Sequence, residues 1–405
     1  MKTLVLYASS ATTLSYYDDW YDAFKDSEDF KTDFLNLHQK QIAKSIHQYD
    51  YIILLHSTNG DQIFLKKLKE LVPILDKRKG VLAIFAGNEV NLESTYVQDR
   101  IAIFASIQPD FIFSQLLQET AQWLYNSCHL SKVYSIPHAL NSKVFFASQS
   151  YEKRFYDIGT RSHKYSVFLG DQKRNNLFAT FDRQARNYAL RCDISVDAQD
   201  RFNRQDWAKF LNQCKATLAT EAGSFYLQKD DAMVIAIKEF LIKELDRNQK
   251  IVIQNTSCLY KIYALLPHKV QQILKQIYVG QSKIHFLEST NAFYEEIYEQ
   301  IHREVISQYS PCPFYSKAIS SRHFDAIGTQ TLLISTQGRY NDILLPHQNY
   351  MVVNDDYSNM QEVCDYLRDS SYVHKITTET LEYVLDCHQH KHRIKKIKKI
   401  LEGAY

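Results

Sequence analysis

Ser320-Ser321-Arg322-His323-Phe324-Asp325-Ala326-Ile327, followed three residues later by Thr331-Leu332-Leu333-Ile334, is the stretch that decides how this chain folds. It reads as a helix opened by two hydroxyls and running into a buried strand. Arg322 and Asp325 stand three apart and share a helix face. Phe324, Ala326 and Ile327 supply the apolar side that packs on a sheet. Free backbone N–H groups and the positive dipole end near Ser320 and Ser321 favour an anion such as a diphosphate. Asp325, one turn deeper, is placed to accept hydrogen bonds from a sugar diol. A helix offering both suits a nucleotide-sugar better than a bare phosphate.

Outward from this helix the chain alternates short apolar runs with amphipathic stretches. In the first 140 residues the runs are Leu4–Tyr7, Tyr51–Leu55, Val81–Phe85, Phe111–Phe113 and Val133–Ile136. Between them Gln62–Leu75 repeats Leu65, Leu68, Leu71, Val72 and Leu75 at helical spacing. Continuous apolar strands alternating with helices predict a parallel sheet covered on both faces. A polar break at Ala147–Lys153 ends this half. Beyond it the expected strands are Ser166–Leu169, Cys192–Val196, Ala216–Thr220, Thr331–Ile334 and Tyr350–Val353. The expected helices are Arg174–Tyr188, Arg204–Gln213, Met233–Leu245, Val270–Ile277, Ala292–Ser307 and Met360–Leu367. The fold class predicted is α/β, with two doubly wound Rossmann-like domains facing a cleft. The divisions fall at 1–148, 149–385 and a C-terminal basic helix over 386–405.

At 405 residues the chain exceeds what one core usually supports, which agrees with two domains. A net charge of +2 gives no argument for nucleic acid. No apolar run reaches the length of a membrane span, and the first residues enter a strand without the layout of a signal peptide, so a cytoplasmic protein is expected. The seven cysteines are scattered and form no CxxC, which favours reduced thiols and gives no metal-ligand pattern. No GxGxxG loop is present, so the usual dinucleotide site has no support.

The helix at Ser320 resembles the S-P-R-x-F-E-A helix of bacterial GT-B glycosyltransferases related to the family-1 and family-4 transferases and the CgeB-like proteins. Asn88-Glu89, Gln115–Tyr125 and Ile136-Pro137-His138-Ala139-Leu140-Asn141 are similar to the first half of that group. Tyr156–Arg161, Thr220-Glu221-Ala222-Gly223-Ser224 and Tyr340–Asn359 are similar to its second half. The resemblance implies a GT-B fold, a nucleotide-sugar donor, and a glycan, lipid-linked or protein acceptor. It implies no cofactor and no metal, with transfer retaining. In the group's Glu-x7-Glu pattern the second acid binds the donor ribose and the first touches the donor sugar. Asp325 stands at the second acid, and the first falls at Lys317, a departure that leaves the donor sugar unread.

The remaining candidates each have a plainer alternative. Glu221, Gly223 and Ser224 place a carboxylate, a permissive backbone and a hydroxyl at a strand end, or make a simple turn. His138 is a general base or phosphate donor, or a hydrogen-bonded structural residue. Glu89 is the acid–base candidate of the first half. Arg161 is a diphosphate clamp, or pairs with Asp157 as a strut. Gly338, Arg339 and Tyr340 follow a strand and lie over the donor site. The tail His388–Leu401 carries six Lys/Arg with Ile394, Ile397, Ile400 and Leu401 at helical spacing. It packs back on the first domain, or also touches an anionic membrane surface at the inner membrane. A nucleotide-sugar epimerase and a non-catalytic GT-B binding subunit are the alternative readings.

Overall fold

The computed structural model describes residues 2–8, 17–38, 46–247, 251–253, 284–286 and 295–403. Six strands build the first sheet: β1 (Lys2–Tyr7), β2 (Lys31–Asn36), β3 (Tyr51–Leu54), β4 (Val81–Phe85), β5 (Phe111–Ser114) and β6 (Lys132–Ser135). Their order is β2-β1-β3-β4-β5-β6, and every pair is parallel. Alternate residues divide between two faces, as a strand's period of two requires. Leu4, Ile52, Leu54, Leu82, Ile84 and Ile112 meet α2 (Gln62–Leu75) and α3 (Val97–Ile107). Val5, Ile53, Ala83, Phe85 and Phe113 form the other face, against Trp20 and Phe24 of α1 (Asp18–Lys25). α4 (Gln118–Leu124) packs beside β6.

The second sheet holds five parallel strands in the order β15-β14-β9-β7-β8. These are β7 (Tyr156–Arg161), β8 (Cys192–Ser195), β9 (Cys214–Ala219), β14 (Leu332–Thr336) and β15 (Met351–Val353). The expected doubly wound α/β class with two parallel sheets is what the chain adopts. One strand assignment needs correction. Ser166–Leu169 is not a strand: Val167–Leu169 forms a 3-10 turn, closed by Gly170 at φ 64°. The strand that opens this sheet is instead Tyr156–Arg161, between β9 and β8, and its Gly159 lets Cys214 and Phe210 approach so closely that a Cβ would collide with both.

Helices α5 (Lys173–Gln184) and α6 (Arg204–Asn212) cover opposite faces of this sheet. Between β9 and β14 the chain makes β10 (Ala222–Gly223), α7 (Ala232–Arg247), β11 (Ile251–Ile253), β12 (Ile284–Phe286), α8 (Tyr298–Glu304), β13 (Lys317–Ala318) and α9 (Ser321–Gly328). The expected helix Val270–Ile277 lies outside the described residues. β10 and β13 pair antiparallel, Ala222 opposite Ala318, so the chain leaves and re-enters at one point.

Three helices complete the chain: α10 (Met360–Arg368), α11 (Ser370–Cys387) and α12 (His390–Leu401). Ile394, Ile397, Ile400 and Leu401 of α12 are buried against Val5, Ile53 and Phe85 of the first sheet. The two sheets meet through apolar contacts, with Leu227 and Ala318 joining the core of the first sheet, and through polar ones. Arg204 of α6 pairs with Asp19 at 2.9 Å and with Asp22 at 2.6 Å. Asp231 accepts from the backbone N–H groups of Val97 and Gln98, the first two residues of α3, and from Asn91.

Candidate functional site

The carboxyl ends of the second sheet's strands, where doubly wound sheets bind ligands, gather most of the candidates. α9 starts there. Its Ser320 N-cap is closed by His323, whose Nδ1 accepts from the Ser320 backbone N–H at 3.2 Å, the part a Glu or Gln plays in an ordinary capping box. His323 is fully buried, and burial holds its imidazole down to about 3, so it stays the neutral acceptor the cap needs.

Arg322 points from the first turn of α9 to the end of β7. Its guanidinium donates to the carbonyl of Arg161 and lies 5.8 Å over the Trp207 ring. Asp325 is buried and accepts from Trp207 Nε1 at 3.1 Å. Burial first, and then Asp19 of the first domain, raise its carboxyl well above the usual range. Arg322 and Asp325 both contact the Trp207 indole, and the guanidinium also acts on the Asp325 carboxyl to lower it.

Arg161 is held at 2.8 Å by Asp193, and its guanidinium stacks over Phe210 at 4.5 Å. Its partner is not Asp157, which pairs with Lys215 at 2.7 Å. The register explains the choice: Gly159 lies opposite Asp193, so Arg161, two residues on, shares that face. Arg161, Arg201, Phe202, Trp207 and Arg322 line one narrow crevice. His163 stands beside Arg174, Arg322 and Arg201. Burial, and then these cations, hold its imidazole down to about 3.

A second group forms around Glu221. Its carboxylate accepts from the Tyr340 backbone N–H at 2.6 Å and from the Tyr315 hydroxyl. Burial, the largest influence, raises its carboxyl. Gly338 lies so close that a Cβ there would stand 2.2 Å from Glu221 Oε2. Tyr340, Asn341 and Asp342 all take positive φ, at 45°, 53° and 57°. Such a run is costly for non-glycine residues and persists only where surroundings impose it. The Tyr340 hydroxyl lies 2.6 Å from Ser335 Oγ, and Asn341 donates to the Gln115 carbonyl of the first domain at 2.9 Å. Arg339 reaches Glu119 of the first domain at 2.9 Å. Lys317 forms a buried ion pair with Asp171 and lies 4.4 Å over the Phe225 ring. Gly223, at φ 99°, and Ser224, which donates to the Leu169 carbonyl, shape the turn, and Ser321 is buried in the first turn of α9.

Glu89 and His138 sit apart, in the first domain. Glu89 accepts from Ser114 at 2.7 Å, Gln115 N–H at 2.9 Å and Tyr125 at 3.0 Å, with both carboxylate oxygens engaged. These bonds tie Glu89 to the loop after β5, and burial raises its carboxyl. His138 is buried, accepts from Trp20 Nε1 at 3.4 Å, and is pushed down to about 3 by burial and then by Arg393. An imidazole so reluctant to take a proton is poorly suited to be a base. Sequence reasoning missed Trp207, Tyr315, His163 and Asp171. The first two lie far from their acid partners in sequence, and no local pattern announces the contact.

No family model matches the chain, and no curated protein matches it. Among solved structures the chain is similar to Anabaena Alr3699/HepE in complex with UDP and glucose, at 9% identity and a TM-score of 0.48 over 100% of both chains. It is also similar to sucrose-phosphate synthase from Thermosynechococcus elongatus, at 11% identity and 0.47 over 100% of both. A glycosyltransferase from Rickettsia africae aligns at 9% identity and 0.38 over 99% of this chain and 98% of that one. Similarities this remote say nothing about chemistry.

Proposed function

We propose that the chain is a GT-B glycosyltransferase of the CgeB-related group, moving a sugar from a nucleotide-diphosphate sugar to a glycan, lipid-linked or protein acceptor. The observation that carries this reading is the crevice at the carboxyl end of the second sheet. There Arg322, Arg161 and Arg201 surround the start of α9, flat aromatic walls stand at Phe202 and Trp207, and Asp325 lies one turn deeper. Cations and a helix N-terminus suit a diphosphate, aromatic walls suit a base, and a buried carboxylate suits ribose hydroxyls.

In this reading residues 149–385 hold the donor, residues 1–148 face the acceptor, and 386–405 return to the first domain. Arg322 and the α9 N-terminus stabilise the charge that develops on the leaving diphosphate, and no metal is invoked. Asp325 exchanges the Trp207 N–H for a ribose hydroxyl. Glu221, with both oxygens engaged, positions the loop at Gly338, Arg339 and Tyr340 over the donor. A binding subunit without activity is the second reading, favoured by the ion pair that locks Lys317 to Asp171.

A thermal-shift panel of UDP, GDP and ADP with their hexose conjugates tests the assignment. At least one is expected to stabilise the protein, and Arg322→Ala is expected to lower its affinity tenfold or more, roughly 1.4 kcal/mol. A panel with no response, or an unchanged affinity in the variant, refutes it. Incubating the donor alone separates a transferase from an epimerase, which would return a new nucleotide-sugar. The exposed Lys391, Lys395 and Lys399 of α12 are proposed to allow peripheral contact with anionic lipid. Liposome co-sedimentation that survives high salt, or their replacement by Gln, would speak against that contact.

A further inference from the structure

Helix α9 is entered through a short stretch that the first domain holds at several points. Thr120 of α4 donates to the Tyr315 carbonyl at 2.7 Å. Ala318 on β13 is buried with the apolar core of the first sheet. Ile319, next in the chain, donates its backbone N–H to Asn341 Oδ1 at 2.7 Å. Asn341 Nδ2 donates in turn to the Gln115 carbonyl, just past β5, at 2.9 Å. Glu89 accepts from the Gln115 N–H at 2.9 Å, so that residue is held on its other side as well. One side chain thus joins the first domain to the backbone that opens α9. Its orientation is fixed by chemistry, since an N–H needs the amide oxygen and a carbonyl needs the amide nitrogen.

Asn341 stands at φ 53°, between Tyr340 at 45° and Asp342 at 57°. Asparagine enters the left-handed region more readily than most non-glycine residues. Three such residues in a row still carry strain, which the surroundings must hold in place. Each has its restraint. The Tyr340 N–H meets Glu221, and its ring lies edge-on, at 5.1 Å, to His323, the imidazole that caps α9. Asp342 pairs with Arg339, which also reaches Glu119 of the first domain at 2.9 Å. The loop after β14 therefore grips α9 at its cap and, through Asn341, at the residue before the cap.

We propose, resting on the donor reading above, that Asn341 is a positioning residue for the donor site. It fixes the N-terminus of α9 against the first domain, so that nucleotide affinity depends on contact between the two domains. The first turn of α9 carries Arg322, whose guanidinium lines the crevice. A shift of about 1 Å where the chain enters α9 would misplace that cation and the first-turn N–H groups together. Asn341 does this without touching the nucleotide.

Two substitutions separate the halves of the link, and both tolerate a left-handed backbone. Asn341→Asp keeps an oxygen for the Ile319 N–H and loses the donor to Gln115. Asn341→Gly loses both. Hydrogen exchange of residues 319–324 in the whole, unliganded protein should quicken in both variants, while β4 and α5 keep their protection. Ile319 itself should be the better protected in Asn341→Asp, where its acceptor remains. Affinity for whichever of UDP, GDP and ADP binds the wild type should fall about fivefold or more in each variant. An Asn341→Asp protein that matches wild type in exchange or in affinity overturns the proposal, because the bond to Gln115 then sets nothing at α9. Protection lost throughout the chain in both variants overturns it too, as the mark of a general strut. A wild type that binds none of the three nucleotides refutes the donor reading instead, and exchange of residues 319–324 then decides whether Asn341 holds α9 to the first domain.

Discussion

Asp325 shows how far one carboxylate's surroundings can depart from what its sequence position suggests. It lies on the helix face predicted for it, yet its single described side-chain donor is an indole and its nearest like charge comes from the other domain. Because its folded carboxyl is raised, wild-type stability is expected to fall as pH climbs above the unfolded value near 3.9. Asp325→Asn can still accept from Trp207 and carries no charge. It should therefore melt no lower than wild type at pH 8, with the difference closing near pH 4, while nucleotide affinity drops by about 1–3 kcal/mol. A variant that melts well below wild type at pH 8 would contradict this account. Lys317 offers the opposite case. Removing one partner of its buried pair, as in Lys317→Met, should cost about 3–5 kcal/mol by denaturant unfolding, because Asp171 is left charged and unpaired. A loss under about 1 kcal/mol would show the pair to be solvated.

At the scale of elements, the turn between β9 and β10 carries the argument. Gly223 takes φ 99°, and a Cβ there would stand 2.7 Å from the Ser316 carbonyl, so strain and a backbone collision coincide. Gly223→Ala should lower stability by about 1–3 kcal/mol and weaken the β10–β13 pairing. A melting temperature within a degree of wild type would mean the turn rearranges freely. The motif Glu221–Ser224 was legible in the sequence as a strand-end turn. That it pairs with Lys317–Ala318 was not: Ser316 donates to the Ser224 carbonyl across 92 positions, and no local periodicity encodes such a return. The missed strand β2 has a related cause. Lys31-Thr32-Asp33-Phe34-Leu35-Asn36 is an edge strand, and an edge strand lacks the continuous apolar run of the central ones.

For the whole molecule, the relation between the two sheets is set by contacts spread along their junction, among them Arg204 with Asp19, Arg339 with Glu119 and Asn341 with Gln115. Asp231, from the segment after β10, caps the N-terminus of α3 and holds Asn91. Asp231→Ala should cost about 0.5–2 kcal/mol, as loss of a helix cap does. It should also widen the angle between domains, read by small-angle scattering. An unchanged scattering profile and melting curve would show the contact to be incidental. The amino-acid sequence by itself determined the alternation of strands and helices, the two parallel sheets and the helix at Ser320. Apolar period and capping chemistry act over a few residues and need no partner. Tertiary structure alone decided that Arg161 pairs with Asp193, that Trp207 contacts both Arg322 and Asp325, and that Glu89 accepts from Ser114, Gln115 and Tyr125. It also brought His56, His138 and His390 from distant segments around Trp20. Each of these outcomes depends on which surfaces are excluded from water together, and burial is a property of the assembled chain rather than of any stretch of it.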